Sequence, residues 1–213
     1  KDAAGCFSQD YHALPLSWAS NIYLQNPENE GWISYMKDRC DEVYNNFDFD
    51  GFQVDQLGNR GDVFDYSHNK VELKEAYEPF LAAMKTAHPD KTLVMNAVSG
   101  FGTYYIVKDN VDFCYNEVWG NGNGYGGAPE QNFANLYDII KENDKCSNQQ
   151  RSTVFAAYIN YDKAGNDKRP DTKVNTPGVL LADAVMFALG GSHLEIGDHM
   201  LTREYFPAAP LQM

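Results

Sequence analysis

Long apolar runs are missing from this sequence. No stretch of about 18 apolar residues occurs, so no membrane-spanning helix is expected. Cations are also scarce: 17 Lys and Arg stand against 30 Asp and Glu, for a formal net charge of -13. That balance argues against a nucleic acid partner, whose phosphates need clustered Lys and Arg, and against an anionic membrane surface. Cysteine is sparse, and Cys6, Cys40, Cys114 and Cys146 show no C-x-x-C spacing for a metal or a redox pair. Cys114 lies in an apolar run and reads as a buried free thiol. The five histidines form no H-E-x-x-H, and there is no G-x-S-x-G and no Walker loop. Internal repeats, low-complexity tracts and obvious linkers are absent as well. Behind Lys1-Asp2-Ala3-Ala4-Gly5 there is no apolar signal region, and the chain opens without Met, so a processed chain or an excised fragment is expected.

What is present is an ordinary globular composition, 43% hydrophobic and 14% aromatic, over 213 residues. Short apolar runs alternate with amphipathic stretches. Strands are expected at Asn21 to Gln25, Gly51 to Val54, Thr92 to Met95, Asp112 to Tyr115, Thr153 to Ile159 and Leu194 to Ile196. Helices are expected after Asn26-Pro27 (an N-cap followed by Pro), then on the stripes Leu73, Ala76, Tyr77, Phe80, Leu81, Met84 and Phe133, Leu136, Tyr137, Ile140. Pro79 predicts a kink or two abutting helices. A last helix runs from Thr176-Pro177 to a stop at Gly190-Gly191.

Strands that are continuously apolar rather than alternating are buried on both faces, as in a parallel sheet covered by helices. The fold class is therefore α/β. Nearly every strand ends in a polar residue: Gln25, Asp55, Asn96, Glu117, Asn160, Asp198. In a parallel fold these ends share one face, which in a barrel carries the active site. The alternation fits an open sheet or a barrel. A full barrel needs eight units and typically ~250 residues, so six units suggest a (β/α)8 TIM barrel lacking its first strands.

Two segments carry the chemistry. In Phe47-Asp48-Phe49-Asp50-Gly51-Phe52-Gln53-Val54-Asp55-Gln56-Leu57-Gly58, Asp55 follows a tight apolar strand and precedes a glycine loop, which places a carboxylate at the mouth of the sheet. In Phe113-Cys114-Tyr115-Asn116-Glu117-Val118-Trp119, Glu117 sits just past an apolar strand beside a Trp. An aromatic wall raises a carboxyl pKa by desolvation, which suits a general acid. Two carboxyls facing each other across a barrel mouth are the minimal machinery of glycoside hydrolysis. The alternative for Asp55 is a loop cap, and for Trp119 core packing.

Other motifs are weaker. Gly122-Asn123-Gly124-Tyr125-Gly126-Gly127 fits G-x-G-x-x-G, but the strand ends several residues earlier and no acidic residue closes the next one. His193-Leu194-Glu195 lacks the P-C-x-x-C of zinc deaminases, and Asp48-x-Asp50-Gly51 lacks the rest of an EF-hand loop. No metal or organic cofactor is expected.

At Asp50-Gly51-Phe52-Gln53-Val54-Asp55-Gln56-Leu57-Gly58 and Tyr115-Asn116-Glu117-Val118-Trp119 the sequence resembles glycoside hydrolase family 66, in the order and spacing of both blocks. That family contains endo-dextranases and cycloisomaltooligosaccharide glucanotransferases. The resemblance implies a (β/α)8 barrel flanked by β-sandwich domains, with residues 1–213 as a single domain that is a slice of the barrel. It implies Asp55 as nucleophile and Glu117 as general acid/base of a retaining mechanism, acting on an α-glucan such as dextran or isomaltooligosaccharides. Gln53, Asn96, Asn116 and Asp198 are then candidates to hold sugar hydroxyls, and Trp119 and Tyr125 candidate stacking surfaces. Family glucanotransferases carry a carbohydrate-binding module after the strand that here ends at Asn160. Only Tyr161 to Asn175 follows it in this chain, which favours a plain dextranase. The rival readings are a sugar-binding barrel without catalysis, which needs no carboxylate pair, and another α-glycosidase family on the same barrel. Dextran is too large to import readily, so a secreted or surface location is expected.

Overall fold

The computed structural model describes residues 1–6, 22–56, 58–108, 110–119, 132–158 and 176–194. Its first helix, α1, spans Glu30–Asn46. The cap is Asn29, whose side chain accepts from Trp32 N at 3.0 Å. Asn26-Pro27, expected to start this helix, instead forms the turn before it, closed by Asn29 N donating to Asn26 O. Of the strand expected at Asn21 to Gln25, Asn21 lies outside the described residues, and 22–25 hold a single bridge residue, Tyr23, with Ile22 and Tyr23 both exposed.

Strand β1 is Gly51–Val54. A two-residue antiparallel ribbon, β2 (Val63–Phe64) with β3 (Lys70–Val71), folds the polar loop that follows. It was not expected from the sequence. Helix α2, Leu73–Ala87, buries its whole expected stripe: Leu73, Ala76, Tyr77, Phe80, Leu81 and Met84. It runs unbroken through Pro79. Apolar side chains buried on both sides of the proline hold the helix together where one backbone hydrogen bond is lost.

Strand β4 is Thr92–Met95; a single turn at Val98–Gly100 and helix α3, Thr103–Val107, follow. Strand β5 is Cys114–Trp119, longer than expected and including Glu117. Helix α4, Phe133–Cys146, buries Leu136, Ile139, Ile140, Asn143 and Cys146, and leaves Tyr137 exposed. Strand β6, Thr153–Tyr158, helix α5, Thr176–Ala188, and strand β7, Gly191–His193, end the described chain. The final strand thus begins three residues before its expected start. Gly190, at φ +89, ends α5 and turns the backbone directly into β7.

The five longer strand segments are parallel and follow chain order. β1 pairs with β4 from Gly51↔Thr92 to Val54↔Met95, and β5 pairs with β6 from Cys114↔Thr153 to Trp119↔Tyr158. β6 pairs with β7 from Thr153↔Gly191 to Phe155↔His193. A parallel bridge between Asn96 and Tyr115 joins the two groups. Among the described residues no pairing carries β7 back to β1. The expected alternation of parallel strands and covering helices is present, and closure into a barrel is not shown among the described residues.

The core has two halves. Leu93, Met95 and Cys114 pack with α1, α2 and α3, while Phe155, Ala156 and Val118 pack with α4 and α5. Cys114 is buried with no disulfide, as expected, and burial pushes its thiol up to about 12. Among the described residues no helix is long and apolar enough to cross a membrane.

Candidate active site

Strand register builds this site. Val54 lies beside Met95, so the next residues, Asp55 and Asn96, stand side by side where β1 and β4 end. Asn96 N donates to Val54 O, and Ala97 N donates to Tyr115 O, which ties this end of β4 to both neighbours. Asn96 is also the bridge partner of Tyr115. Glu117 is two residues further along β5 and shares the face of Tyr115.

Asn96 is 1% exposed, and all its side-chain hydrogen-bonding capacity on this face is engaged. Its Nδ2 donates to Asp55 Oδ1 at 3.0 Å and to Glu117 Oε2 at 3.0 Å. Its Oδ1 accepts from the backbone N–H of Glu117 at 3.1 Å. One amide therefore joins the two carboxylates. They point into the same place, and their bonded oxygens cannot be further apart than twice the donor distance.

Asp55 is exposed and Glu117 half-buried, so Glu117 is the more desolvated of the two. Asp55 Oδ1 accepts a second bond from Gln56 N at 2.9 Å. The Gln56 side chain is itself held on three sides. Its Oε1 accepts from Tyr77 OH at 3.0 Å and Gly58 N at 2.8 Å, and its Nε2 donates to Phe101 O at 3.2 Å. Burial pushes the Tyr77 hydroxyl well above its ordinary pKa, so it stays a donor. Gly58, at φ +74, makes the backbone turn that brings its N–H back to Gln56. The turn after β1 is thus locked to α2 and to the segment around Phe101. Sequence alone gives Gln56 no role and marks Tyr77 only as core. The only available signal was an amide placed between Asp55 and a glycine.

The other expected site residues separate into three groups. Gln53 is exposed on the same face as Asp55, two residues earlier in β1. Asn116 is fully buried and faces the opposite way: its Nδ2 donates to Ala97 O at 2.9 Å and its Oδ1 accepts from Asn143 Nδ2 at 2.9 Å. Asn143 Nδ2 also reaches Thr153 Oγ1 at 3.0 Å. Asn116 thus packs β5 onto α4 and presents no surface to a sugar. The reason is strand alternation, because a residue next to Glu117 must point to the other face. Asn96 is likewise too buried to meet a sugar hydroxyl and acts on the carboxylates instead. Trp119 is the last residue of β5, and its side chain lies outside the described part of the molecule. So do Tyr125, Asn160, Asp198 and the Gly122 to Gly127 loop.

His193, singled out in the H-x-E triplet, pairs through Nδ1 with Asp183 Oδ1 on α5, remote in sequence from the carboxylates. Among the described residues no three His, Cys, Asp or Glu side chains group as metal ligands. The geometry is that of two carboxylates held close together by a neutral donor between them. Such a pair can divide labour as nucleophile and acid/base.

The chain is 30% identical over 157 residues to a cycloisomaltooligosaccharide glucanotransferase of Niallia circulans, covering 69% of this chain and 15% of that relative. It is 28% identical over 193 residues to a dextranase of Streptococcus salivarius, covering 80% of this chain and 23% of that relative. It thus spans less than a quarter of the length of either protein. Among solved structures, a Paenibacillus cycloisomaltooligosaccharide glucanotransferase complexed with cycloisomaltoheptaose superposes with a TM-score of 0.59 at 27% identity, over 72% of this chain and 22% of that one. The glycoside hydrolase domain of PelA from Pseudomonas aeruginosa shares the fold at a TM-score of 0.51 and 17% identity, over 90% of this chain and 67% of that one. The family model described as glycosyl hydrolase family 66 matches residues 2–213, so the chain belongs to that family.

Proposed function

We propose that this chain carries the catalytic carboxylates of a retaining glycoside hydrolase that cleaves internal α-1,6-glucosidic bonds of dextran. The observation that carries the reading is the single Asn96 nitrogen bonded to both Asp55 and Glu117 at 3.0 Å. Two amide N–H bonds diverge by about 120°, which spaces the two bonded oxygens by roughly 5 Å, the range of retaining rather than inverting pairs. Membership of glycosyl hydrolase family 66 and the dextranase and glucanotransferase relatives support the substrate class.

In this reading Asp55 attacks the anomeric carbon. The bond to the leaving sugar breaks, and its oxygen takes the proton of Glu117. Glu117, now a carboxylate, removes a proton from water, which attacks the same carbon. The ester to Asp55 breaks and both carboxyl groups return to their starting states, with net retention. Gln53, Trp119 and Asp198 remain the candidates for holding sugar. The fold is part of a (β/α)8 barrel, residues 1–213 forming one domain of a longer exported or surface enzyme.

A glucanotransferase of the same family is the second reading, favoured by the 30% identity to such an enzyme. The short Tyr161 to Asn175 stretch favours the hydrolase. Chromatography of products from dextran, starch and melibiose separates the readings: linear isomaltooligosaccharides from dextran alone support the dextranase, and cyclic products support transfer. Asp55→Asn in the intact protein is expected to lower turnover roughly 1,000-fold or more with the fold intact by circular dichroism. More than a tenth of wild-type activity would exclude Asp55 as nucleophile.

A further inference from the structure

We infer that Asn96 is the positioning residue of the carboxylate pair, fixing both their separation and the edge that each presents to substrate; this deepens the glycosidase reading and rests on it. The residue touches no sugar, because it is buried beneath the two carboxylates. Its amide cannot be turned over. The Glu117 backbone N–H must meet an acceptor, and it meets Asn96 Oδ1 at 3.1 Å. A flipped amide would put a carbonyl oxygen against the Asp55 carboxylate and an NH2 group against the Glu117 N–H. The orientation that satisfies the backbone is thus the one that aims both amide hydrogens at the acids.

The same bonds distinguish the oxygens of Asp55. Oδ1 accepts from Asn96 and from Gln56 N, whereas Oδ2 accepts no hydrogen bond from the described residues. Oδ2 is therefore the oxygen that forms the bond to the anomeric carbon. Oδ1 keeps its two donors as negative charge leaves the carboxylate in the glycosyl ester and returns on hydrolysis. Backbone bonds from Asn96 N to Val54 O and from Ala97 N to Tyr115 O fix the amide between the strands that carry the acids. A residue at this position with no second donor removes the bond that couples one carboxylate to the other. The proton of Glu117 is then delivered off line to the leaving oxygen.

The test uses the intact protein with Asn96→Ala, Asn96→Ser and Asn96→Asp beside wild type and Asp55→Asn. Each is assayed on dextran and on an isomaltooligosaccharide with a 4-nitrophenyl leaving group, with rates normalised to the folded fraction from thermal melts. Loss of alignment should lower kcat on dextran by about 100-fold for Asn96→Ala and Asn96→Ser, and by about 10-fold on the activated substrate, which needs less help from the acid. Asn96→Asp, nearly the same shape but a third carboxylate, should be the slowest of the three on both. A simple loss of folded protein lowers both substrates equally. Asn96→Ala within threefold of wild type on dextran, or equal losses on the two substrates, would overturn the inference. Failure of all three variants to fold would assign Asn96 to stability and overturn it as well. High activity of Asp55→Asn would instead remove the glycosidase reading beneath it.

Discussion

Asn116 and Glu117 are neighbours in β5 whose side chains bond to opposite sides of the sheet: Glu117 to Asn96 of the β4 end, Asn116 to Asn143 of α4. The pair N-E thus splits into a site residue and its anchor. Asn116→Ala leaves the Asn143 amide and the Ala97 carbonyl short of partners in a dry interior. A stability loss of about 1–3 kcal/mol is expected, read by denaturant titration, with KM for dextran unchanged. A raised KM at unaltered stability would return Asn116 to the list of sugar-binding residues.

Glu117→Gln keeps the acceptor for Asn96 but has no proton to give. Turnover of dextran should drop by about 100-fold or more, and of a 4-nitrophenyl substrate by much less. In Glu117→Ala, azide, small enough to enter the space left by the lost side chain, should restore release of the glycosyl ester as a glycosyl azide of retained configuration, visible by NMR. An azide product of inverted configuration would exclude the two-step route.

Gly51 sets how closely β1 lies against β4. A Cβ there would stand 2.3 Å from the Thr92 carbonyl oxygen. Gly51→Ala should therefore cost about 1–3 kcal/mol through forced strand separation. Because Asp55 is four residues on and Asn96 is on the partner strand, activity should fall with stability. A melting temperature within a degree of wild type would show that the contact relaxes freely.

The thiols give a measure of packing independent of activity. Cys6 is exposed, whereas Cys40, Cys114 and Cys146 are buried. Burial raises all three buried thiols, Cys114 to about 12 and Cys146 to about 11 from an ordinary value of 9.0. At pH 8 in native protein, one thiol should react quickly with a disulfide reagent and three slowly, all four becoming equal in denaturant. The same shifts have a sign for stability. An acid whose folded pKa is raised binds its proton longer in the native state. The stabilisation is whole below pH 9 and declines from there toward pH 12 as unfolded chains ionise first. Denaturant midpoints between pH 8 and 11 check this, and a midpoint that rises with pH would contradict it.

Sequence pattern located this site because rigid apolar strands are short and their polar ends are conspicuous. Gly51 to Val54 and Thr92 to Met95 match the observed strands residue for residue, and α2 buries its whole predicted stripe. What pattern missed depended on partners. β5 looked finished at Tyr115 because Asn116 and Glu117 are polar. Six residues of β6 in parallel register extend it to Trp119. Tyr137 fits the helical spacing of α4, yet Ile139 and Asn143 hold the buried face. The roles of Asn96 and Asn116 could not be separated by composition, since both are asparagines near a strand end. Only the register and the pleat assign one to the acids and the other to a helix.

The Asn96 bridge also has a meaning for how the molecule assembles. Asp55, Asn96 and Glu117 reach one point from three strands that are separated in sequence by helices, and parallel strands cannot pair until each crossover has formed. Neither local helix formation nor collapse can bring them together. The spaced carboxylate pair exists only once the β1–β4 pairing and the Asn96–Tyr115 bridge are in register, so it is a product of long-range pairing and not of any local element. A nascent or partly unfolded chain carries the same two acids without the fixed spacing between them.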